Sequence, residues 1–325
     1  MFKNALVFSL AVADAAPTLA TVEERLQSQR FAGCGPSEAQ AMGWVPPRGE
    51  PHGPLLESVA GQWLLLLRHE RKAVPAGVVR EQLEARLDAV ERETGRRPRG
   101  KRSKELKEEV VHALLPRAFP KTSSHWVWVS LDSGRVVVGA GSPARADALL
   151  SLLREALGTG LRIEPLQTQV SPGAAMAEWL TAREAPPGFT IDRDCELRQP
   201  DSEKATVRYA RHTLDLDEVV AHIAEGKRPT QLAMTWDERV SFVLTEGLAL
   251  KRIQLLDAAL DGHDDDGGFD ADAALVTGEL SRLLPDLVLA LGGEGLPPPA
   301  ASPAPAASAD RPPADAAQDL ASVPF

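Results

Sequence analysis

A chain of 325 residues, 43% of them hydrophobic, is long enough to bury a proper core and too apolar to stay unfolded over most of its length. Its net charge of −10 is a property of one end: residues 257–325 hold thirteen acids against two bases, Arg282 and Arg311, a net of −11, which leaves 34 bases and 33 acids, a net of +1, on residues 1–256. The acidity therefore says little about what the body binds, and two cysteines in no CxxC pair, Cys34 and Cys195, exclude a disulfide framework and a cysteine zinc site and fit a reducing cytosol.

The first residues, MFKNALVFSLAVADAAP, have the apolar run of a signal peptide. However, the basic region is Lys3 alone and Asp14 abuts the run, so a strand is expected over Ala5–Val12. No run reaches the roughly 18 apolar residues of a membrane span. A helix near Thr21–Gln29 and a strand over Gln62–Leu67 flank the turn-rich MGWVPPRGEPHGP. Val78, Val79, Leu83, Leu87 and Val90 then repeat every three to four residues, an amphipathic helix that Gly95 and Pro98 end. Ser103 reads as the N-cap of a second helix, Lys104 to Leu115, and two helices joined by a short turn form a hairpin that can stand out as an arm, about residues 76–119. Pro116 stops the second helix. Arg117 and Phe119, two apart in what reads as extended chain, would point to one side.

WVWVSLDSGRVVVG alternates on both sides of Asp132-Ser133-Gly134, a hairpin, and a helix over Arg145–Leu157 follows. ATVRYARHTL reads as a strand, DLDEVVAHIAEG as a helix with its N-cap near Asp215, and residues 231–256 as an antiparallel meander. The strand, hairpin and helix sequence thus occurs twice, a hint of internal duplication. A last helix, Asp272 to Leu291, ends at Gly292-Gly293. The expected fold class is α+β: antiparallel sheets with packed helices and a projecting helical arm in a body of residues 1–296, then a Pro/Ala-rich tail, 297–325, without apolar period and expected to be disordered.

Two motifs imitate known sites. Gly139-x-Gly141-x-x-Ala144 lies between a strand and a helix, close to a dinucleotide fingerprint, and would make the chain a nucleotide-dependent oxidoreductase. The strand before it reads as hairpin-paired, with no further parallel units to follow, so a tight strand-to-helix turn is the expectation. DGHDDDGGFDAD has the charge of a calcium loop but no register with the ligand spacing. The seven histidines form no HExxH or HxH pattern and no nucleophile elbow is present; no cofactor is expected, and the chain reads as a binding protein rather than an enzyme. The basic run is more informative. From Arg92 to Lys104 lie seven bases and the single acid Glu93, which points either to a phosphate partner or to a solvated basic turn that could dock an acidic protein. Arg208, Arg211, His212, Lys227 and Arg228 add smaller basic clusters. No base-reading motif accompanies them, so contact with backbone phosphates is what such charges would supply.

MGWVPP (42–47), EEVVHALLPRAF (108–119), AHIAEGK (221–227) and FDADAALVTGEL (269–280), in this order and spacing, resemble the recombination-associated protein RdgC family, from about Met1 to Gly295. The resemblance implies a ring-shaped homodimer, closed through two separate contacts, that encircles double- or single-stranded DNA without sequence preference. It also implies a protein of the cytoplasm and nucleoid that limits the RecA recombinase. Matched to the family's motif, Phe119 falls at the ring contact thought to open, and Arg117 near the DNA path. Arg96, Arg211 and Lys227 fall on positions facing the hole, and Arg97 and Arg208 belong to the same basic clusters. Ala210 departs from the pattern where a second adjacent base is expected; Arg208 or His212 could compensate. Read from its own surroundings alone, Phe119 could equally be a hydrophobic plug on its helix end.

The tail lies outside that resemblance. Asp310, Asp315 and Asp319 precede Val323-Pro324-Phe325, which resembles the end of bacterial single-stranded-DNA-binding proteins and implies a repair protein that takes Phe325 in an apolar pocket. A tail folded onto the basic arm, or one with no role, fits the same residues.

Overall fold

The computed structural model describes residues 1–12, 15–200, 205–261 and 267–295; the acidic residues at 262–266 and the tail with Phe325 lie outside the described residues. The first half of the chain runs β1 (Asn4–Val12), α1 (Leu19–Ser28), β2 (Gln40–Val45), β3 (Leu56–Val59), β4 (Gln62–Lys72), α2 (Ala76–Thr94), α3 (Lys101–Leu114), a 3-10 turn (Leu115–Arg117), β5 (Pro120–Ser130), β6 (Arg135–Val138), α4 (Pro143–Leu157) and β7 (Leu161–Pro165). The second half runs α5 (Pro172–Ala182), β8 (Phe189–Arg198), β9 (Thr206–Tyr209), α6 (Asp217–Ala224), β10 (Arg228–Trp236), β11 (Val240–Thr245), β12 (Ala249–Leu255), α7 (Asp257–Leu260) and α8 (Gly268–Ala290). All the strands join one twelve-stranded sheet in the order β2-β4-β5-β6-β1-β12-β11-β10-β8-β9, with β3 on β4 and β7 on β1. Every ladder is antiparallel. The fold is α+β.

β1 joins the two halves, and its composition follows from that place. Successive side chains of a strand point to opposite faces, and both faces of β1 are covered. Ala5 and Val7 enter the core formed with Met176 and Trp179 of α5 and Leu280, Leu283 and Leu287 of α8. Leu6, Phe8 and Leu10 enter the other core, with Leu26 of α1 and Leu149, Leu150 and Leu153 of α4. An apolar run without alternation is what a strand buried on both sides requires, and Asn4–Val12 is such a strand. Leu149, Leu150 and Leu153 are fully buried, each worth about 1.5–3 kcal/mol of burial.

Gly43 in MGWVPP has a local cause. β2 runs against the 29–31 loop: Trp44 N–H donates to the Gln29 carbonyl (3.0 Å) and Phe31 N–H to the Trp44 carbonyl (2.9 Å). A Cβ on Gly43 would stand 2.6 Å from Phe31 Cα and 2.7 Å from its nitrogen, so the side chain is excluded by backbone that cannot move aside.

Several boundaries differ from the sequence reading. α3 starts at Lys101, three residues early, because Gly100 in a positive-φ conformation (φ 57°) turns the chain into the helix; Ser103 lies inside it. The expected strand at 205–214 is only Thr206–Tyr209, since Arg211 turns the backbone at φ 55° and gives its N–H to Asp194 Oδ1 at 2.8 Å. The N-cap of α6 is Leu216 rather than Asp215, whose carboxylate pairs with Arg183 at 3.3 Å. α8 begins four residues earlier than expected, at Gly268. Among the described residues no helix is long and apolar enough to cross a membrane.

Candidate nucleic-acid interface

The arm is inserted between the paired ends of β4 and β5, where Lys72 faces Pro120. α2 and α3 pack chiefly on each other through Val79, Leu87, Leu106 and Val110, all buried. The nineteen residues of α2 at 1.5 Å rise make the arm about 28 Å long. Gly95 closes α2 in the left-handed region (φ 70°), its N–H donating to the Glu91 carbonyl at 2.8 Å. The turn from Gly95 to Gly100 therefore sits at the far end from the sheet and carries Arg96, Arg97 and Arg99.

The seven bases of this region divide into two groups. Arg97 is surrounded by carboxylates of its own arm: Glu84, Asp88 (2.6 Å) and Glu91 (3.0 Å). They hold its guanidinium above its usual pKa, the Asp88 hydrogen bond most, and fasten the turn to α2. Arg102 pairs with Glu105 at 3.1 Å and Glu109 at 3.7 Å, and Arg92 donates to the Asp88 carbonyl. Arg96, Arg99, Lys101 and Lys104 are exposed and, among the described residues, meet no carboxylate. Arg96 and Arg99 on the turn and Lys101 and Lys104 in the first turn of α3 thus leave four cations without a carboxylate partner among the described residues, a charge pattern that suits an anion.

At the root of the arm, Leu115 is buried and anchors the 3-10 turn. Arg117 is the last residue of that turn rather than part of an extended segment; the chain becomes extended only at Ala118 (φ −80°, ψ 135°). Arg117 is exposed, and Phe119 is 90% exposed whereas Phe2, Phe8, Phe189 and Phe242 are all below 9%. Phe119 is therefore not a plug on its own helix end. A lone aromatic held in water at the base of a rigid arm is free to meet another surface.

The basic residues of the second half are more engaged. Arg208 on β9 faces Glu196 on β8, and its guanidinium pairs with that carboxylate. Glu196 is buried, and also accepts from Thr230 Oγ1 at 2.9 Å and pairs with Arg198 at 3.2 Å. The Arg208 hydrogen bond chiefly, with that of Thr230, lowers its carboxyl pKa. A lowered folded-state value means this ion cluster stabilises the fold above the unfolded glutamate's pKa, near 4.3, and the contribution fades as pH falls through the folded value. Lys227 lies 2.8 Å from Glu225 and 3.0 Å from His222 Nδ1, and its side chain is only 15% exposed. Arg211 is exposed and meets no carboxylate through its side chain among the described residues. The structure thus gathers Arg208 and Arg211 around the 194–196 segment of β8, keeps Arg96 and Arg97 at the arm turn, and sets Arg117 and Phe119 at the arm root. One cationic pair escaped the sequence reading, Arg71 and Lys121, opposed across β4 and β5; only the register across the inserted arm brings them together, and no local pattern announces it.

The oxidoreductase alternative is corrected by the topology. β6, which ends at Val138 just before Gly139, is antiparallel to both β1 and β5, so the turn does not belong to a parallel βαβ unit. Gly139 has another reason to be glycine: its N–H donates to the Trp126 carbonyl at 2.7 Å, and a Cβ would press on Trp126 backbone at 3.1 Å. Among the described residues no three His, Cys, Asp or Glu side chains gather as a metal-holding group.

Comparison with known proteins places this arrangement. The family model described as "Putative exonuclease, RdgC" matches residues 1–294. A recombination-associated protein RdgC of Dechloromonas aromatica is 45% identical over 284 residues, 85% of this chain and 92% of that protein. One of Janthinobacterium sp. (strain Marseille) is 45% identical over 301 residues, 90% and 98%, and one of Bordetella pertussis 41% over 298 residues, 90% and 98%.

Proposed function

The chain belongs to the RdgC family of recombination-associated proteins, and from that premise we propose that it acts on DNA by occupancy. Two copies close into a ring around single- or double-stranded DNA, hold it through backbone phosphates without regard to sequence, and limit the access of the RecA recombinase in the nucleoid. The observation that carries this reading is the arm turn and the start of α3, where Arg96, Arg99, Lys101 and Lys104 stand exposed and meet no carboxylate among the described residues. Such cations suit phosphate oxygens at any sequence. With Arg117 they offer five cations on each protomer, of which the ring needs only a few on phosphates at a time.

The test is a titration of random-sequence duplex against salt. Four to six phosphate contacts made by the ring give a slope of log K on log salt of about −4 to −5. A flat dependence, or strong preference for one sequence at equal length, overturns the reading. The name of the matched family model includes an exonuclease, and end-labelled duplex incubated with Mg²⁺ or Mn²⁺ separates the two activities: occupancy leaves the label at full length, exonuclease action shortens it.

Phe119 supplies one of the two ring contacts in this reading. Its exposure means that Phe119→Ala removes nothing from the protomer's own core, so the melting temperature should stay near the wild-type value, as for a surface change worth within about 0.5 kcal/mol. Sedimentation should still find a dimer, held by the second contact, while retention on closed circular DNA changes. A severe loss of thermal stability, or unchanged retention, would remove Phe119 from the gate.

A further inference from the structure

The ribbon formed by β4 and β5 outruns the helices that cover it. On one face, Leu65 and Leu67 of β4 and Val127 and Val129 of β5 pack in the core with α1 and α4. The period of two continues that face outward through His69 and Arg71 on β4 and through His125, Ser123 and Lys121 on β5. The register sets Arg71 directly opposite Lys121 and His69 opposite Ser123; on the other side, β2 sets Gln40 beside Arg71 and Met42 beside His69. Gln40, Met42, Arg71 and Lys121 are exposed and His69 is half-buried. The result is a three-stranded shelf at the root of the arm.

Its charge is of one sign. Like charges directly opposite on neighbouring strands destabilise a sheet, yet among the described residues neither Arg71 nor Lys121 has a carboxylate within ion-pair distance. Arg145, exposed in the first turn of α4, adds a third cation, also without a carboxylate. Its presence is felt at His69, whose imidazole is lowered in pKa by burial first and then by the charges of Arg145, His125 and Arg71. Packing does not explain three gathered cations at an exposed strand end; an anion bound across them does.

We infer that Arg71, Lys121 and Arg145 form a second phosphate-binding surface, taking the DNA backbone at the root of the arm. This rests on the reading that the chain binds DNA. The shelf and the arm turn are separated by the length of the arm, about 28 Å, so no single phosphate serves both and their contributions add in log K.

The experiment uses the full chain, a random 30-base-pair duplex and the matching single strand. Arg71→Ala/Lys121→Ala is compared with wild type and with Lys3→Ala/Arg162→Ala, which removes the same charge from exposed positions elsewhere, just before β1 and on β7. Each protomer loses two cations, so the ring loses two to four phosphate contacts: the duplex salt slope should flatten by about 1.8–3.6 and binding should weaken at least roughly 50-fold at 0.1 M salt, with the control unchanged. Lys121→Gln alone, a minimal change at an exposed site, should give about half of the slope change and serves if the double variant does not fold. An unaltered slope in a variant whose wild type binds DNA overturns the shelf and leaves the proposed function standing. An equal loss in the control assigns the effect to net charge and also overturns it. If wild type itself does not bind either DNA at low salt, the proposed function fails, and the shelf with it.

Discussion

Replacing Arg96, Arg99, Lys101 and Lys104 by glutamate should weaken DNA binding by more than about 10³-fold in a protein that remains folded. Counterion release from four phosphate contacts is worth about 10³–10⁴ in affinity at 0.1 M salt, and reversal adds repulsion to that loss. The four side chains are exposed and make no ion pairs among the described residues, so circular dichroism and the melting temperature should be close to wild type. Arg97 provides the contrast. Its pairs with Glu84, Asp88 and Glu91 hold the turn in place, so Arg97→Ala should weaken DNA binding far less than the loss of its four neighbours. Filter binding of a labelled duplex at two salt concentrations checks both. Affinity and salt dependence unchanged by the fourfold reversal would move the DNA contact off the arm turn altogether.

Arg239→Ala should cost about 3 kcal/mol of stability, at the lower end of the range for breaking a buried ion pair. Glu279 on α8 is 1% exposed, and Arg239 grips it with two bonds, Nε to Oε2 at 2.9 Å and a terminal nitrogen to Oε1 at 2.6 Å. Arg239 also donates to the Ala258 carbonyl at 2.7 Å, so one side chain ties the β10–β11 turn to the segment before α8 and to α8 itself. Without it the Glu279 carboxylate keeps only Arg282 in a site that water barely reaches. The loss should appear as a shifted urea midpoint with an unchanged slope. Glu279→Gln, which removes the buried charge together with the pairing, should cost less than Arg239→Ala; the opposite order would mean that Glu279 is better solvated than its burial implies.

Local chemistry alone determined much of this protein. Val78 to Val90 recur with the helical period and Gly95 ends them, so α2 was legible; Asp132-Ser133-Gly134 marked the β5–β6 turn; the apolar alternation of 231–256 marked the β10–β11–β12 meander. In each case the signal and the structure it specifies lie within a few residues of one another. Four short motifs, taken together, also pointed to the family. What the sequence could not assign is which charges are free. Arg97 and Arg96 are neighbours of the same type, and only the winding of α2 brings Glu84, Asp88 and Glu91 to one of them. Arg208 reads as a surface base, but the β8–β9 register lays it on buried Glu196. Phe119 reads as plug or contact until its surroundings are known, because exposure is decided by what the rest of the chain leaves uncovered. Gly139 imitates a phosphate turn until β6 is seen to run antiparallel to both its neighbours. Arg71 and Lys121, separated by the whole arm, become a pair only through strand register. Periodicity and turn chemistry are local and survive in the sequence; compensation of charge and burial are long-range, and the tertiary structure alone decided them.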